Sequence, residues 1–366
     1  MLTGWERSAG PPSRRPTPPD AIVSFLDTAT LPTVAMLDAT REAVLGDDVY
    51  GQDPTVRELE RLAAGLLGHE AAVLMPSGTM ANLVALMVHC RPGDEVVVEA
   101  FAHLVWAESG GMAAVAGCMP LLVEGERGIL RSELIERHLR PSDQHNPRTT
   151  LVCVENTHNR AGGTITTPTV MRELRELCDA RGLALHVDGA RLFNAAVALG
   201  VPAAELATTA DSVSVALSKG LSAPVGSVLV GSGGFIAQAR RARKLLGGGM
   251  RQAGGIAAAG IVALRDGVTR LSEDHRFARV LANRLAAFPA LRVDPDAVET
   301  NIVLCDVAGS GLDGRAFATA LMERGVHASP RPPHAVRFVT HRLIGGPEVE
   351  LLIAAIEDVL AAQGMR

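Results

Sequence analysis

The sequence predicts one large α/β domain with a mostly parallel central sheet, followed by a smaller C-terminal α+β domain. Two observations lead to this fold class. Short apolar runs rich in β-branched residues alternate with helical patterns from about residue 27 onward. Near residue 266 a charged helix opens a region with a different order of elements. At 366 residues, the chain is long enough for more than one domain and a large buried core.

The strands and helices of the large domain follow from their apolar patterns. Six unbroken apolar runs are typical of strands buried on both faces of a sheet. We predict strands at 71–75, 95–98, 150–154, 184–187, 212–216 and 225–230. Helical patterns fill the gaps between them, and we predict helices at 55–67, 79–89, 169–180 and 235–246.

The C-terminal region has its own set of elements. We predict a helix at 271–288, strands at 300–305 and 335–340, a proline-rich loop at 330–333 and a closing amphipathic helix at 347–362. The first twenty residues contain five prolines and no apolar run. We therefore divide the chain into a flexible tail (1–20), a large domain (21–265) and a small domain (266–366).

Composition excludes several classes of protein. The net charge is −5, charged residues make up 20% of the chain and apolar residues 47%, which excludes a disordered chain and a basic nucleic-acid binder. The start of the chain lacks the apolar core of a signal peptide, and no apolar run is long enough to cross a membrane. Five widely spaced cysteines without a CxxC pair argue against a metal site and suit free thiols. We expect a cytoplasmic protein.

Only two of the 35 basic residues are lysines, so amine chemistry has two candidates. Lys219 comes shortly after the strand at 212–216, at the carboxyl end where α/β sheets bind ligands. A buried lysine there has a lowered pKa and can form a Schiff base, whereas a surface loop lysine is the alternative. Lys244 lies in a basic helical stretch, where it is either a solvated side chain or a phosphate contact.

Two further side chains follow strands of the same predicted sheet. Asp188 comes directly after the strand at 184–187, and an aspartate there can hold the pyridinium nitrogen of pyridoxal phosphate or cap a helix. His103 follows the strand at 95–98, where an imidazole can stack on the pyridine ring or be structural. The combination of Asp188 with Lys219 favours the cofactor.

Pyridoxal phosphate also needs an anion site, and the substrate needs a carboxylate site. Ser77, Gly78 and Thr79 lie between a strand and a helix, where free N–H groups and hydroxyls can hold a phosphate or merely cap the helix. Arg191 and Arg337 are candidates for a carboxylate, because a planar guanidinium matches it with two hydrogen bonds. Arg337 interrupts an apolar strand, so it needs an anionic partner.

Six longer motifs occur together across residues 27 to 341. They are GDDVYGQDPTV (46–56), PSGTMANLVAL (76–86), ENTHNRAGGT (155–164), LHVDGARLFNA (185–195), LSKGLSAPVGSVLVG (217–231) and GGGMRQAGG (247–255). In this order the motifs resemble those of low-specificity L-threonine aldolases, which belong to the β-eliminating lyase/threonine aldolase superfamily. The resemblance implies fold type I of the pyridoxal-phosphate enzymes.

The resemblance also implies a role for each candidate. Lys219 corresponds to the Schiff-base lysine, Asp188 to the pyridinium partner and His103 to the stacking imidazole. The family roles of the remaining candidates concern the phosphate (Ser77, Gly78, Thr79), the substrate carboxylate (Arg191, Arg337), the β-hydroxyl (His145), a neighbouring subunit's phosphate (Lys244, Arg251) and the edge of the site (Tyr50). The family is typically a homotetramer, a dimer of dimers with shared active sites.

The implied activity is retro-aldol cleavage of L-threonine, L-allo-threonine or a related β-hydroxy-α-amino acid to glycine and an aldehyde, in threonine catabolism and glycine biosynthesis. One departure is Leu26, which stands where the family has a serine that holds the substrate carboxylate. It leaves open a related pyridoxal-phosphate lyase or a transaldolase acting on a specialised β-substituted amino acid. A cofactor-binding regulatory protein without turnover is disfavoured by the complete set of Lys219, Asp188 and His103.

Overall fold

The computed structural model describes residues 22–365, so the predicted tail (1–20) lies outside the described residues. Its strands are β1 (Val23–Ser24), β2 (Ala71–Met75), β3 (Glu95–Glu99), β4 (Met119–Val123), β5 (Thr149–Glu155), β6 (Ala184–Asp188), β7 (Ser212–Ala216), β8 (Ser227–Gly231), β9 (Ile302–Asp306), β10 (Val326–His327), β11 (Ser329–Arg331) and β12 (Ala335–Val339). Its helices are α1 (Val34–Glu42), α2 (Pro54–Leu67), α3 (Gly78–His89), α4 (His103–Trp106), α5 (Gly111–Ala114), α6 (Ser132–His138), α7 (Pro168–Arg181), α8 (Leu192–Leu199), α9 (Ala204–Ala207), α10 (Gly233–Leu245), α11 (Gly254–Val262), α12 (Val268–Ala286), α13 (Gly314–Met322) and α14 (Gly346–Ala362).

Seven strands form the central sheet in the order β2-β8-β7-β6-β5-β3-β4. Only β8 runs against its two neighbours, and the other pairs are parallel. The prediction of a mostly parallel sheet is therefore confirmed. The inner strands β3, β7 and β8 are buried along their whole length, as expected where helices cover both faces of a sheet.

The predicted helices of this region are confirmed within two residues at each end, and their boundaries follow from capping. Asp53 and Thr167 accept hydrogen bonds from the first turns of α2 and α7, each of which has a proline at its start. The edge strand β4 was not predicted. Pro120 interrupts its apolar pattern, and three of its five residues are exposed, which is possible only at an edge.

A second core lies in the C-terminal region. The antiparallel strands β11, β12 and β9 form a three-stranded sheet that packs with α12, α13 and α14. The predicted proline-rich loop is wrong at its start, because Pro330 pairs with Val336 in the edge strand β11. The chain's first described strand, β1, pairs with β10, and Phe25 is buried in this second core. The predicted division at residue 266 assigns both β1 and Phe25 to the large domain.

The division of the chain at residue 266 remains a prediction. The position falls in a π-helical segment, Ala263–Gly267, that joins α11 to α12. Among residues 22–365, none of the helices combines the length and the apolar character that crossing a bilayer requires.

Candidate active site

The candidate side chains meet at the carboxyl edge of the central sheet. Asp188 is the last residue of β6, Glu155 is the last residue of β5, and His103 opens α4 shortly after β3. The backbone N–H of His103 donates a hydrogen bond to Oε2 of Glu155 at 2.6 Å. Lys219 follows β7 by three residues. The parallel strands therefore bring together residues that are up to 116 positions apart in the sequence.

Asn82 holds the carboxylate of Asp188. Its Nδ2 donates to Oδ2 of Asp188 at 2.9 Å and to Oε1 of Glu108 at 2.9 Å. The orientation of the amide is fixed, because the hydroxyl of Ser214 donates to Asn82 Oδ1 at 2.7 Å. Asn82, Glu108 and Asp188 are all buried. One amide group thus separates two buried carboxylates and binds both.

Glu108 also binds the imidazole of His103. The His103 Nδ1 atom lies 2.8 Å from Oε1 of Glu108, and this hydrogen bond raises the pKa of His103. Ligand atoms of His103, Glu108 and Asp188 lie within 4.8 Å of one another, a spacing that a metal ion could use. These atoms already bind one another or Asn82, so the arrangement is a hydrogen-bonded network.

Lys219 lies in a tight turn at the same edge. Its carbonyl oxygen accepts hydrogen bonds from the hydroxyl of Thr30 at 3.0 Å and from the N–H of Ser222 at 2.8 Å. Ser222 adopts a φ of 66°, which closes the turn. Burial and the positive charge of Arg191 lower the pKa of the Lys219 amine. The structure thus places Lys219 in a half-buried position and not on an exposed loop.

Arg191 has a partner within the chain. Its Nε and Nη2 atoms donate to the two carboxylate oxygens of Asp27, at 2.6 and 2.8 Å, and both residues are buried. Burial opposes ionisation of Asp27, but the charge and hydrogen bonds of Arg191 outweigh it and hold the pKa of Asp27 well below its usual range. The carboxylate-binding fork of Arg191 is therefore occupied by Asp27, a residue that sequence reasoning did not select.

In contrast to Arg191, Arg337 on β12 has a guanidinium that no carboxylate of residues 22–365 occupies. Its Nη1 donates to Oδ1 of Asn159, and it forms no ion pair with any residue from 22 to 365. Its Nε atom is buried and has no hydrogen-bond partner within that range. Burial and the nearby charges of Arg191 and Arg331 lower the pKa of Arg337 to about 9. A carboxylate would satisfy both the charge and the free donor.

The turn between β2 and α3 can hold a phosphate. The hydroxyl of Ser77 accepts from the N–H of Met80 at 3.2 Å, so this side chain caps the helix. A Cβ at Gly78 would lie 3.5 Å from Oγ of Ser227, which is buried and has no hydrogen-bond partner in the described part of the chain. Free N–H groups at the start of α3, the exposed Thr79 and the orphaned Ser227 hydroxyl fit an anion.

Three other candidates form a separate exposed cluster. Arg251 binds Asp47 at 2.6 Å and lies over the ring of Tyr50 at 5.8 Å. Lys244 is exposed beside Gly249. Among the described residues, none of Tyr50, Lys244 and Arg251 has a hydrogen bond or ion pair with Lys219, Asp188 or His103.

His145 is not brought to this edge of the sheet. It is exposed on the segment before β5, and its N–H donates to Asp143 at 2.7 Å. Because β5 runs from this segment towards Glu155, its length separates His145 from the other candidates. Within one chain, the site at this edge of the sheet therefore forms without His145, and also without the separate cluster of Tyr50, Lys244 and Arg251.

Comparisons with known proteins support the resemblance. The family model described as beta-eliminating lyase matches residues 25–308. The probable low-specificity L-threonine aldolase 2 of Arabidopsis thaliana is 44% identical over 338 residues, which are 91% of this chain and 95% of that protein. The low specificity L-threonine aldolase of Escherichia coli K12 is 43% identical, over 86% of this chain and 92% of that protein. The threonine aldolase structure from Leishmania major has a TM-score of 0.78 at 22% identity, and the match covers 92% of this chain and 99% of that one.

Proposed function

The chain belongs to the β-eliminating lyase family, and from this premise we propose that it is a pyridoxal-phosphate-dependent threonine aldolase. It cleaves L-threonine, L-allo-threonine or a related β-hydroxy-α-amino acid to glycine and an aldehyde. The observation that carries this proposal is the meeting of Lys219, Asp188 and His103 at one edge of the sheet, beside a turn that fits a phosphate.

The residues of the site suit pyridoxal phosphate. When bound, this cofactor supplies an electron sink for the electron pair released at the substrate's Cα. Asp188, steadied by Asn82, would hold the proton on the pyridine nitrogen. His103 would stack on the ring, and the turn of Ser77, Gly78 and Thr79 would bind the phosphate.

Each remaining residue has a task that its contacts support. Arg337 would bind the substrate carboxylate with its free donor, while Arg191, held by Asp27, would shape that pocket and add positive charge. The amine of Lys219, whose pKa is lowered, is neutral more often than an exposed lysine and can act as a nucleophile.

A base must remove the proton of the β-hydroxyl. The Nδ1 atom of His103 is engaged by Glu108, so its Nε2 atom can accept a proton if Nδ1 donates to that carboxylate. His145, the other candidate for this task, could reach a site only in a second copy of the chain, because β5 separates it from its own site.

We further propose a homotetramer, a dimer of dimers, in which copies share active sites. Large apolar side chains are exposed along one stretch of sequence and one nearby helix end, which is typical of an interaction surface. They are Leu31, Val34, Leu37, Val44, Leu45, Tyr50 and Leu245. Lys244 and Arg251 lie in or close to the same segments, and each would contact the phosphate held by a neighbouring copy.

The cellular setting is part of the proposal. All five cysteines are buried and free, which suits a reducing compartment such as the cytoplasm. The reaction would there serve threonine breakdown and glycine formation. No nucleic acid or membrane is required as a partner.

The experiment that tests the proposal uses the two lysines of the chain. Borohydride reduction of the protein loaded with pyridoxal phosphate fixes the cofactor to the amine that holds it, and peptide mass spectrometry identifies that lysine. We expect the label on Lys219 and an inactive Lys219→Ala variant with an unchanged melting temperature. Label on Lys244 alone, or an active Lys219→Ala variant, contradicts the proposal.

A second candidate function is favoured by Leu26. This half-buried aliphatic side chain precedes Asp27 and cannot donate a hydrogen bond to a carboxylate. A related lyase or a transaldolase for a specialised amino acid would use the same Lys219 and Asp188. A Leu26→Ser variant that cleaves threonine better supports divergence towards such a substrate, whereas unchanged or weaker cleavage contradicts it.

A further inference from the structure

Arg331 and Arg337 lie on the same face of the three-stranded sheet. Ser329 of β11 pairs with Arg337 of β12, and Arg331 pairs with Ala335. Directly paired residues share a face of a sheet, and so do alternate residues of one strand. The two arginines are therefore diagonal neighbours, about 7–8 Å apart at their backbones. Because Arg337 reaches Asn159 beside the active site, Arg331 lies on the site-facing side as well.

Arg331 has no anionic partner in the described range of the chain. It is half-buried, and its Nη1 donates only to the hydroxyl of Ser329 at 3.0 Å and to the carbonyl of Pro330 at 3.2 Å. Its Nε atom is buried without a hydrogen-bond partner among residues 22–365. Burial and the charges of Arg160 and Arg191 lower the pKa of Arg331. A partly buried cation in these surroundings requires an anion.

The nearby carboxylates already accept hydrogen bonds from other groups. Asp27 binds Arg191 with both of its oxygens. The two oxygens of Glu155 accept from the backbone N–H groups of His103 and Asn159. If the substrate's α-carboxylate binds Arg337, Arg331 stays unpaired. A monocarboxylic amino acid therefore leaves the Arg331 guanidinium without a directly paired carboxylate among residues 22–365.

We infer that the substrate carries a second carboxylate, attached on its β-carbon side, which Arg331 binds. The inference rests on the proposed function and names its substrate class: β-hydroxy dicarboxylic amino acids, which release an anionic aldehyde. For 3-hydroxyaspartate, the Cα–Cβ bond breaks, the hydroxyl proton leaves as the C=O bond forms, and Cα gains a proton. The products, glycine and glyoxylate, account for all atoms and no oxidant is needed.

The test compares two substrates across matched variants. The ratio of kcat/KM for L-3-hydroxyaspartate to that for L-threonine is measured for the wild-type holoenzyme, Arg331→Gln, Arg331→Lys and the control Arg315→Gln. Arg315 is an exposed arginine whose side chain forms no ion pair in the described chain. We expect the ratio to fall at least tenfold in Arg331→Gln, to fall less in Arg331→Lys and to stay constant in Arg315→Gln.

Binding by calorimetry gives a readout that does not depend on turnover, and the measurement on the wild type does not depend on the folding of a variant. The wild-type holoenzyme should bind L-aspartate at least tenfold more tightly than L-alanine, and Arg331→Gln should lose this preference. Two results overturn the inference but leave the proposed function intact. One is an unchanged substrate ratio in Arg331→Gln, and the other is a wild-type enzyme that cleaves threonine but not 3-hydroxyaspartate. Absence of aldehyde from every β-hydroxy amino acid overturns the proposed function as well.

Discussion

The Nδ1 atom of His103 and the Oε1 atom of Glu108 are 2.8 Å apart, and the amide of Asn82 joins the same oxygen of Glu108 to Asp188. The imidazole that would accept a substrate proton and the carboxylate that would hold the cofactor ring are therefore parts of one buried network. Its positioning residues, Glu108 and Asn82, can be tested one at a time.

Replacing Glu108 should change the pH dependence of the reaction. The hydrogen bond to Glu108 raises the pKa of His103, and a base is active above its pKa. In Glu108→Gln the acid limb of the kcat/KM profile should therefore move to lower pH, with kcat reduced about 10- to 100-fold. Glu124→Gln, at an exposed position outside the site, is the control. A profile that does not move in Glu108→Gln would show that Glu108 does not act on the base.

Replacing Asn82 should weaken cofactor binding. Asn82→Asp removes the donor and puts a third carboxylate within hydrogen-bond distance of Glu108 and Asp188. Repulsion in this buried position should lower the affinity for pyridoxal phosphate at least tenfold. The affinity is followed by absorbance during titration of the apoenzyme, with the exposed Asn283→Asp as the control. Equal affinities in the two variants would be incompatible with this role.

The buried pair of Asp27 and Arg191 should stabilise the fold. Asp27→Asn leaves Arg191 without its counter-charge, and the free energy of unfolding should fall by about 3–5 kcal/mol. The exposed pair of Asp38 and Arg41 provides a matched control, because Asp38→Asn should cost about 0–1 kcal/mol. Both are measured by urea unfolding. Similar losses in the two variants would contradict the account of this pair.

Acid should destabilise the protein through the same aspartate. Arg191 holds the pKa of Asp27 below its unfolded value of about 4. A depressed folded-state pKa gives stability that is present above the unfolded pKa and lost as the pH falls below it. The unfolding free energy of the wild type should therefore fall more steeply below pH 4 than that of Asp27→Asn. Parallel curves would show that Asp27 is not the group responsible.

His145 of a neighbouring copy is the alternative to His103 as the base, and this alternative predicts complementation between two inactive variants. Lys219→Ala copies would still lend His145 to a partner, and His145→Ala copies would retain Lys219. Refolding the two together in equal amounts should restore about a quarter of the wild-type activity, since half of the dimers are mixed and each has one complete site. Each variant refolded alone is the control. No recovery in the mixture, or full activity of His145→Ala alone, would contradict this role of His145.

The sequence predicted the strand ends of the site but not the network behind them. Asp188 and Lys219 follow buried strands that patterning located within two residues, so their meeting at one edge was predictable. Asn82 and Asp188 are 106 positions apart, and Asp27 and Arg191 are 164 apart. Such contacts depend on tertiary packing, which no local pattern reports. The available signal for Asn82 was weak: one amide in a largely apolar helix.

The interpretation of Arg191 as a residue that binds the substrate carboxylate is incomplete. Its residue type and strand-end location suit a carboxylate, but the sequence cannot show that Asp27 occupies its fork. Arg337 matches its prediction more closely, because an arginine in an apolar strand needs an anion and no residue from 22 to 365 forms an ion pair with it.

Product analysis of the wild-type enzyme with L-threonine tests the central claim most directly. Retro-aldol cleavage breaks the Cα–Cβ bond, whereas β-elimination breaks the bond to the β-substituent. We expect glycine and acetaldehyde in equal amounts, with no ammonia released and no product from Lys219→Ala. Ammonia and a keto acid as the main products would contradict it.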